Sequence, residues 1–404
     1  MRVCVIGGGV IGLVTAWRAA QRGVRVQVVD PEPGHGAARV AAGMLAAVTE
    51  LHYGEETLLS LNLESARRYP EFAAELAEAS GRAADPSVVG YRACGTLAVA
   101  LDADDRAHLR ELHALQNRCG LDSQWLTGRE CRRLEPMLAP GVRGGLRVDG
   151  DHQVDPRLLV AALLRAAERT GVEFVRVRAE GLRTDGGRAT GVVLSDGREL
   201  AADRVVLAGG SESGRLAGLP ADVVPAVRPV KGQVLRLRMP AGAAYGRFLS
   251  RTVRAVVRGG ALYLVPRESG ELVVGATSEE LGWDTTVTAG GVYELLRDAH
   301  ELVPGITELP LVETCAGLRP CSPDNAPLLG ATALPGLLLA TGHHRNGVLL
   351  APVTGDALAA ALVDGELPPV AAPFTPLRFA GAGGSGDRAG AVRVGAASRQ
   401  EETV

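Results

Sequence analysis

Residues 2–12 read RVCVIGGGVIG, a short apolar run followed directly by glycines in the pattern G-x-G-x-x-G. The apolar run is typical of a buried parallel strand, and the residues that follow have the composition of a helix that ends at Gly23. A second apolar run, residues 24–29, ends on Asp30. The first thirty residues therefore predict a βαβ unit with the glycines at its first turn.

This βαβ unit has the local chemistry of a dinucleotide site. Gly7 permits a tight turn, Gly9 lets a pyrophosphate approach the backbone, and Gly12 lets the helix pack closely on the strand. The helix N-terminus offers N–H groups and the positive end of its dipole to phosphates. Asp30 follows the second strand, where a carboxylate can accept hydrogen bonds from ribose hydroxyls. We therefore predict that the unit binds a dinucleotide.

The composition argues against several other classes of protein. The chain has 404 residues and a formal net charge of −3, which gives no electrostatic basis for binding nucleic acid or an anionic membrane. Its apolar runs are too short to span a bilayer, and the first strand begins too early for a signal peptide. The cysteines form no C-x-x-C pair and the histidines no H-x-x-x-H pattern, so we expect reduced thiols, no metal site and a cytoplasmic location.

The rest of the chain predicts an α/β fold with an interrupted Rossmann-like domain and a second, antiparallel-β domain for the substrate. We assign the segments to the nucleotide-binding domain (1–80, 150–220 and 330–370), to the second domain (81–149 and 221–329) and to a disordered tail (380–404). Because a glycine-rich strand end recurs in each nucleotide-binding segment, this layout favours FAD over NAD.

Three local patterns add to this outline. Lys231-Gly232 and Gly259-Gly260 predict turns between strands of the second domain. Residues 348–363 predict a final apolar helix. We expect the N-terminus of this helix to direct its dipole at the cofactor and to stabilise negative charge there.

Residues 342–352 read GHHRNGVLLAP, which resembles the closing motif of the glycine oxidases. These are FAD enzymes of the D-amino acid oxidase superfamily that are associated with thiamine biosynthesis. Three further stretches agree in order: AAGML at 41–45, YLVPR at 263–267 with VVGAT at 273–277, and AGLRP at 316–320. The resemblance covers residues 1–370. It implies non-covalent FAD, a small amino acid substrate, O₂ as electron acceptor and a homotetramer.

The resemblance also implies roles for individual residues. Arg319 and Arg345 would anchor the substrate carboxylate, since a guanidinium matches a carboxylate through two parallel hydrogen bonds. Tyr263 would donate its hydroxyl to the same carboxylate, and Met44 would limit the size of the pocket. The flavin carries the chemistry, so no further catalytic group is expected. The residues assigned to the cofactor are Gly7, Gly9, Val10, Ile11, Gly12, Asp30, Pro31, Ala37, Ala38, Ala42, Gly43, Met44, Ala179, Gly209, His343, His344, Arg345, Asn346, Gly347, Val348 and Leu349.

The chain departs from the family pattern at two places. Ala37-Ala38-Arg39 stands where the family more often has Ser or Thr, and Glu212 stands where it usually has Trp. Two other functions stay open. One is an FAD-dependent dehydrogenase or oxidase of D-amino acids or sarcosine-like amines that uses another acceptor. The other is a flavin-binding subunit without chemistry of its own.

We predict that the flavin is not covalently attached. Some amine oxidases of the superfamily link it to a cysteine before the last strand, and Cys315 and Cys321 flank Arg319 there. Buried cysteines are more often core residues, however, and the glycine oxidases bind FAD without a covalent bond. Acid precipitation should leave a yellow supernatant. A yellow pellet would show a thioether, which we would then assign to Cys315.

Overall fold

The computed structural model describes residues 1–220, 222–240 and 248–380, and most of its strands lie in two large sheets. The helices are α1 (Val10–Gln21), α2 (Ala37–Val40), α3 (Glu56–Ala79), α4 (Ala103–Arg118), α5 (Gly128–Leu134), α6 (Pro156–Arg169), α7 (Ala289–Leu302) and α8 (Ala351–Val363). The strands are β1 (Arg2–Ile6), β2 (Arg25–Val29), β3 (Met44–Leu45), β4 (Thr96–Ala100), β5 (Gln124–Thr127), β6 (Gly144–Val148), β7 (His152–Gln153), β8 (Glu173–Val175), β9 (Ala179–Asp185), β10 (Arg188–Leu194), β11 (Glu199–Ala201), β12 (Arg204–Leu207), β13 (Arg228–Arg238), β14 (Thr252–Val257), β15 (Gly260–Pro266), β16 (Glu271–Gly275), β17 (Leu311–Cys321), β18 (Leu328–Ala331) and β19 (Leu337–Thr341).

The first sheet has the strand order β18-β19-β12-β1-β2-β8, and all its pairs are parallel except β18 with β19. Alternate residues of β1 pack into two different hydrophobic cores, one on each face of the sheet. Val3 and Val5 pack in a cluster with residues of α1, α3, α6 and α8, whereas Cys4 and Ile6 pack towards the small sheet β11-β10-β9. Both faces of β1 are therefore buried, which explains its continuous apolar run. The Rossmann-like part of the predicted fold class is confirmed.

The second sheet has the order β17-β13-β16-β15-β14-β4-β6-β5. Its pairs are antiparallel except β14 with β4, which run parallel. Leu235, Leu264 and Val274 contribute to a core on which Leu295 and Ala299 of α7 pack. The predicted antiparallel-β character is thus correct, with one parallel pair that the sequence did not indicate.

Two local predictions are wrong. Lys231-Gly232 is not a turn but lies inside β13, where the Lys231 ammonium lies 2.6 Å from Asp284 and 3.4 Å from Glu279. These carboxylates allow a lysine to be buried in a strand. The final helix begins at Ala351 rather than at residue 348, with Pro352 in its first turn, a position that suits proline.

The structure also describes the second predicted turn and the part of the chain next to the predicted tail. The Gly259-Gly260 turn is present, with Gly259 at φ +79° between β14 and β15. The domain boundaries remain a prediction, and the predicted tail after Ala380 lies outside the described residues. Within the described ranges, no helix is both long and apolar enough to cross a bilayer.

The packing of the first turn generates a stability prediction. A Cβ at Gly12 would overlap the carbonyl oxygen of Gly7, whereas a Cβ at Gly141 would meet no atom within 4 Å. Gly12→Ala should therefore lower the free energy of unfolding by about 1–3 kcal/mol, the usual effect of overpacking. Gly141→Ala, in an exposed loop, is the control and should change it by less than about 0.5 kcal/mol. Urea unfolding of the cofactor-free proteins measures both. Equal stabilities would show that α1 does not depend on this contact.

Candidate active site

A cavity of about 1110 Å³ lies where the two sheets meet. One wall comes from the carboxyl ends of β1, β2 and β12 and from the loops that follow them. The other wall comes from β13, β15 and β17 of the second sheet. The carboxyl ends of parallel strands are where ligands bind in open α/β sheets, so the fold itself places a ligand site here.

The wall around the glycine-rich turn suits a dinucleotide. Gly9 is the N-cap of α1 and has no side chain to bind the first N–H groups of the helix, so these remain available to a phosphate. Gly7, at φ +107°, lies so close to Ala208 that a Cβ would overlap the Ala208 carbonyl. The Asp30 carboxylate accepts hydrogen bonds from the backbone N–H groups of Gly8 (2.6 Å) and Glu32 (2.8 Å). Each of its oxygens retains a lone pair for a ribose hydroxyl.

Most residues assigned from the sequence line this cavity, and three do not. Those in its wall are Gly7, Gly9, Val10, Ile11, Asp30, Pro31, Ala37, Ala38, Ala42, Gly43, Met44, Ala179, Gly209, Tyr263, Arg319, His343, His344, Arg345, Gly347 and Val348. The lining does not include Gly12, Asn346 or Leu349. Gly12 packs against the Gly7 carbonyl. The Asn346 carbonyl accepts a hydrogen bond from the Leu350 N–H, and the Leu349 carbonyl accepts one from the Ser65 hydroxyl. These three residues support the wall rather than form it.

The closing motif reaches the cavity through a turn rather than through a helix end. His344, at φ +49°, donates its backbone N–H to the Pro320 carbonyl (2.8 Å), which joins the motif to the end of β17. Gly347 and Val348 line the cavity, but Ala351, where α8 begins, does not. The predicted helix start at residue 348 is therefore corrected to Ala351, while the direction of the helix dipole stays a prediction.

The two histidines of the motif are uncharged at neutral pH. Burial lowers the pKa of His343 to about 3, and its Nε2 lies 3.1 Å from the Thr354 hydroxyl. Burial, together with the positive charges of Arg345 and Arg319, lowers the pKa of His344 to about 4. Neither imidazole therefore adds positive charge to the site above pH 5.

Arg319 is a guanidinium in the cavity wall whose charge is left uncompensated. Its Nη1 donates to the backbone carbonyls of Lys231 (3.3 Å) and Thr277 (3.2 Å). The guanidinium lies over Gly232, where any Cβ would overlap it. No carboxylate within the described ranges forms an ion pair with it. Its fork is thus available to an external carboxylate.

Arg345, the second predicted anchor, already has carboxylate partners. Its Nη2 lies 2.8 Å from Glu55, and its Nε lies 3.4 Å from Glu50. Nη2 also lies 2.8 Å from His52 Nδ1. Because these carboxylates neutralise Arg345, the structure favours Arg319 as the anchor.

Glu50 and Arg254 line the cavity and were missed from the sequence. Arg254 Nη1 binds Glu50 at 2.5 Å. Burial alone would raise the pKa of Glu50, but Arg254 and Arg345 outweigh burial and hold it below the usual value. Arg254 stands opposite Tyr263 in the β14–β15 pair, so both side chains lie on one face of the sheet. Only this register could have revealed Arg254, because nothing near it in the sequence marks it.

Tyr263 and Met44 are the other two residues that the sequence assigns to the substrate. Tyr263 packs over Gly275, where a Cβ would overlap its ring. Burial raises the pKa of Tyr263, so its hydroxyl remains protonated and can donate a hydrogen bond. The Met44 sulfur lies 3.9 Å from Arg254 Nη1. Both side chains line the same cavity as Arg319.

The departures from the family pattern and the cysteines can also be placed. Glu212 is exposed at the cavity wall and lies 3.7 Å from Arg178 and 3.5 Å from Arg215. Cys315 and Cys321 are not among the lining residues. Burial raises the pKa of both thiols, to about 11 for Cys321, which disfavours the reactive thiolate.

Comparisons with known proteins agree with this geometry. The chain is 36% identical over 380 residues to the bifunctional protein ThiO/ThiG of Synechocystis sp., covering 93% of this chain and 54% of that protein. The chain thus spans about half the length of such fused relatives. It is 35% identical over 386 residues to the glycine oxidase of Geobacillus kaustophilus, covering 94% of this chain and 97% of that enzyme.

The fold leads to the same group of proteins. The crystal structure of glycine oxidase from Geobacillus kaustophilus matches with a TM-score of 0.83 at 34% identity, covering 93% of this chain and 99% of that one. The family described as DAO, FAD dependent oxidoreductase, matches residues 2–361. A match over this much of the chain, with a glycine-lined cavity at the strand ends, shows that the protein belongs to the DAO family of FAD-dependent oxidoreductases.

Proposed function

We propose that the protein is an FAD-dependent oxidase of glycine or another small amino acid. The amino acid would lose two electrons and become an imine, which water hydrolyses to a 2-oxo acid and ammonia while O₂ is reduced to hydrogen peroxide. The observation that carries the proposal is Arg319, a guanidinium in the cavity wall that binds backbone carbonyls and the Tyr263 hydroxyl and has no carboxylate partner among the described residues. The similarity to glycine oxidases supports the choice of substrate class.

The residues of the cavity wall explain how such a substrate would be held. FAD, when bound, supplies the acceptor for the hydride that leaves the substrate carbon. Arg319 binds the carboxylate through its fork, and the protonated Tyr263 hydroxyl donates to the same group. Met44 and the Glu50–Arg254 pair limit the space for a side chain. A small, carboxylate-bearing amine meets all three conditions.

The resemblance supplies the rest of the proposal. It implies a role in thiamine biosynthesis, a cytoplasmic location and a homotetramer. The relatives named ThiO/ThiG support the first of these. The cysteine positions support non-covalent FAD, since neither Cys315 nor Cys321 lines the cavity.

A substrate panel tests the proposed function. Glycine, sarcosine and small D-amino acids are added aerobically while peroxide is measured, and the flavin is then reduced anaerobically by the best substrate and exposed to air. Peroxide release with fast reoxidation supports an oxidase. Anaerobic reduction with slow reoxidation would instead show a dehydrogenase that uses another acceptor. A protein that binds FAD but is reduced by no amine would be a non-catalytic subunit.

We predict that Arg319 is the main anchor and that Arg345 is not. Arg319→Met should lower kcat/KM by about 30-fold or more, since loss of one partner of a desolvated pair costs about 2–5 kcal/mol. Arg319→Lys should recover only part of this loss, because an ammonium cannot form the fork. Inhibition by glycolate should weaken in parallel, with FAD content unchanged.

Arg345→Met serves as the matched variant, because it removes a guanidinium from the same cavity. It should lower kcat/KM by less than about tenfold, since Arg345 is already paired with Glu50 and Glu55. If Arg319→Met keeps near-native kcat/KM and inhibition while Arg345→Met loses both, the two assignments must be exchanged.

A further inference from the structure

Arg267 is a buried guanidinium at the end of β15 whose hydrogen bonds cross from the second sheet to the cofactor side of the cavity. Its side chain donates to the Val154 carbonyl (2.8 Å), to Gln153 Oε1 (2.8 Å) and to the Ala42 carbonyl. The residue is only 6% exposed. Burial lowers the pKa of its guanidinium to about 10, which leaves it charged at neutral pH. Arg267 itself is not part of the cavity wall.

The partners of Arg267 differ from those of Arg236, which is also deeply buried. Arg236 lies 2.5 Å from the carboxylate of Glu271, which compensates its charge. Arg267 forms no ion pair with any carboxylate of the described residues, and each of its acceptors is a carbonyl or an amide oxygen. Asp155 and Glu271 stabilise the charge of Arg267 only through space, without an ion pair, and a buried charge without a directly paired partner is unfavourable. A guanidinium can bind several carbonyls on separate segments at once, whereas an ammonium cannot.

The segment that Arg267 holds is the wall of the cavity at Ala42 and Gly43. Two successive carbonyls are fixed: Ala42 accepts from Arg267, and Gly43 accepts from Val154 N–H at 2.9 Å. Gly43 has φ +71°, and a Cβ there would overlap the Val154 carbonyl. The peptide between Ala42 and Gly43 therefore has its orientation set from outside the cavity.

A trans peptide directs its carbonyl oxygen and its N–H to opposite sides. The Ala42 carbonyl is turned towards Arg267, so the Gly43 N–H is turned away from it. Among the described residues, none accepts a hydrogen bond from this N–H. We propose that Arg267 is a positioning residue that holds the Ala42–Gly43 peptide so that the Gly43 N–H is presented to FAD in the cavity. The next residue, Met44, is placed on the substrate side by the same contact.

The cofactor part of this inference rests on the FAD family alone, and its kinetic part rests on the proposed function. Arg267→Lys tests it in the holoenzyme. The ammonium keeps the charge but cannot span the three acceptors, so the Ala42 carbonyl should lose its partner. The dissociation constant for FAD should rise by about tenfold, the usual effect of losing a charge-assisted hydrogen bond. The visible absorption bands of the flavin should also shift, because the Gly43 N–H that would bind the cofactor has lost its fixed orientation.

Arg132→Lys is the matched control. Arg132 also donates to two backbone carbonyls, those of Pro140 (3.0 Å) and Val142 (3.1 Å), but it does not line or adjoin the cavity wall. The Arg132→Lys variant should have unchanged FAD affinity and an unchanged flavin spectrum, even if its thermal stability differs. With glycine, Arg267→Lys should lower kcat more than it raises KM, because Arg319 is untouched. Should Arg267→Lys not accumulate in folded form, Arg267→Gln carries the same measurements.

The outcomes separate the two proposals. If Arg267→Lys retains wild-type FAD affinity and spectrum, or changes stability alone as the control does, the positioning role is wrong. If wild-type protein binds FAD but oxidises no amino acid, the proposed function is wrong. In that case the affinity and spectrum of the two lysine variants still decide the role of Arg267.

Discussion

The close contact between α1 and β1 at Gly7 and Gly12 is the constraint on which the rest of the site depends. Because neither glycine carries a Cβ, the helix can start within van der Waals distance of the strand end, and β12 can bring Ala208 against the same turn. This arrangement leaves the first N–H groups of α1 facing the cavity with no side chain between them and a phosphate. Any larger residue at Gly12 would displace the helix, and with it the wall that receives the cofactor.

Charge on the opposite wall is organised by pairing. Arg254 and Arg345 share Glu50, and Arg345 also has Glu55, so these residues form a nearly neutral group. Arg319 stands beside this group without a carboxylate of its own. His343 and His344 are neutral, so neither imidazole competes with Arg319 for an anion. Among the three guanidinium groups of this region, those of Arg254, Arg345 and Arg319, only that of Arg319 has no carboxylate partner in the described part of the chain.

The sequence predicted what local pattern determines and missed what depends on register and distant partners. The βαβ unit was predictable because its turn, helix and strands are contiguous, and AGLRP drew attention to Arg319. Lys231-Gly232 was misread as a turn because the carboxylates that allow Lys231 inside a strand lie some fifty residues away, at Glu279 and Asp284. Arg254 could not be found, because it reaches the cavity only through its pairing opposite Tyr263. The same holds for the partners of Arg345, which belong to the loop before α3.

The strand order has a consequence for how the chain must fold. In the first sheet, β1 pairs with β12, and β12 pairs with β19 near the end of the described chain. In the second sheet, β4 pairs in parallel with β14, which lies far along the chain. Pairings of such long sequence separation close large loops before they gain contacts, which slows folding. Neither sheet can be completed by an N-terminal fragment, so during synthesis the glycine-rich turn emerges first while the cavity that it serves is assembled last.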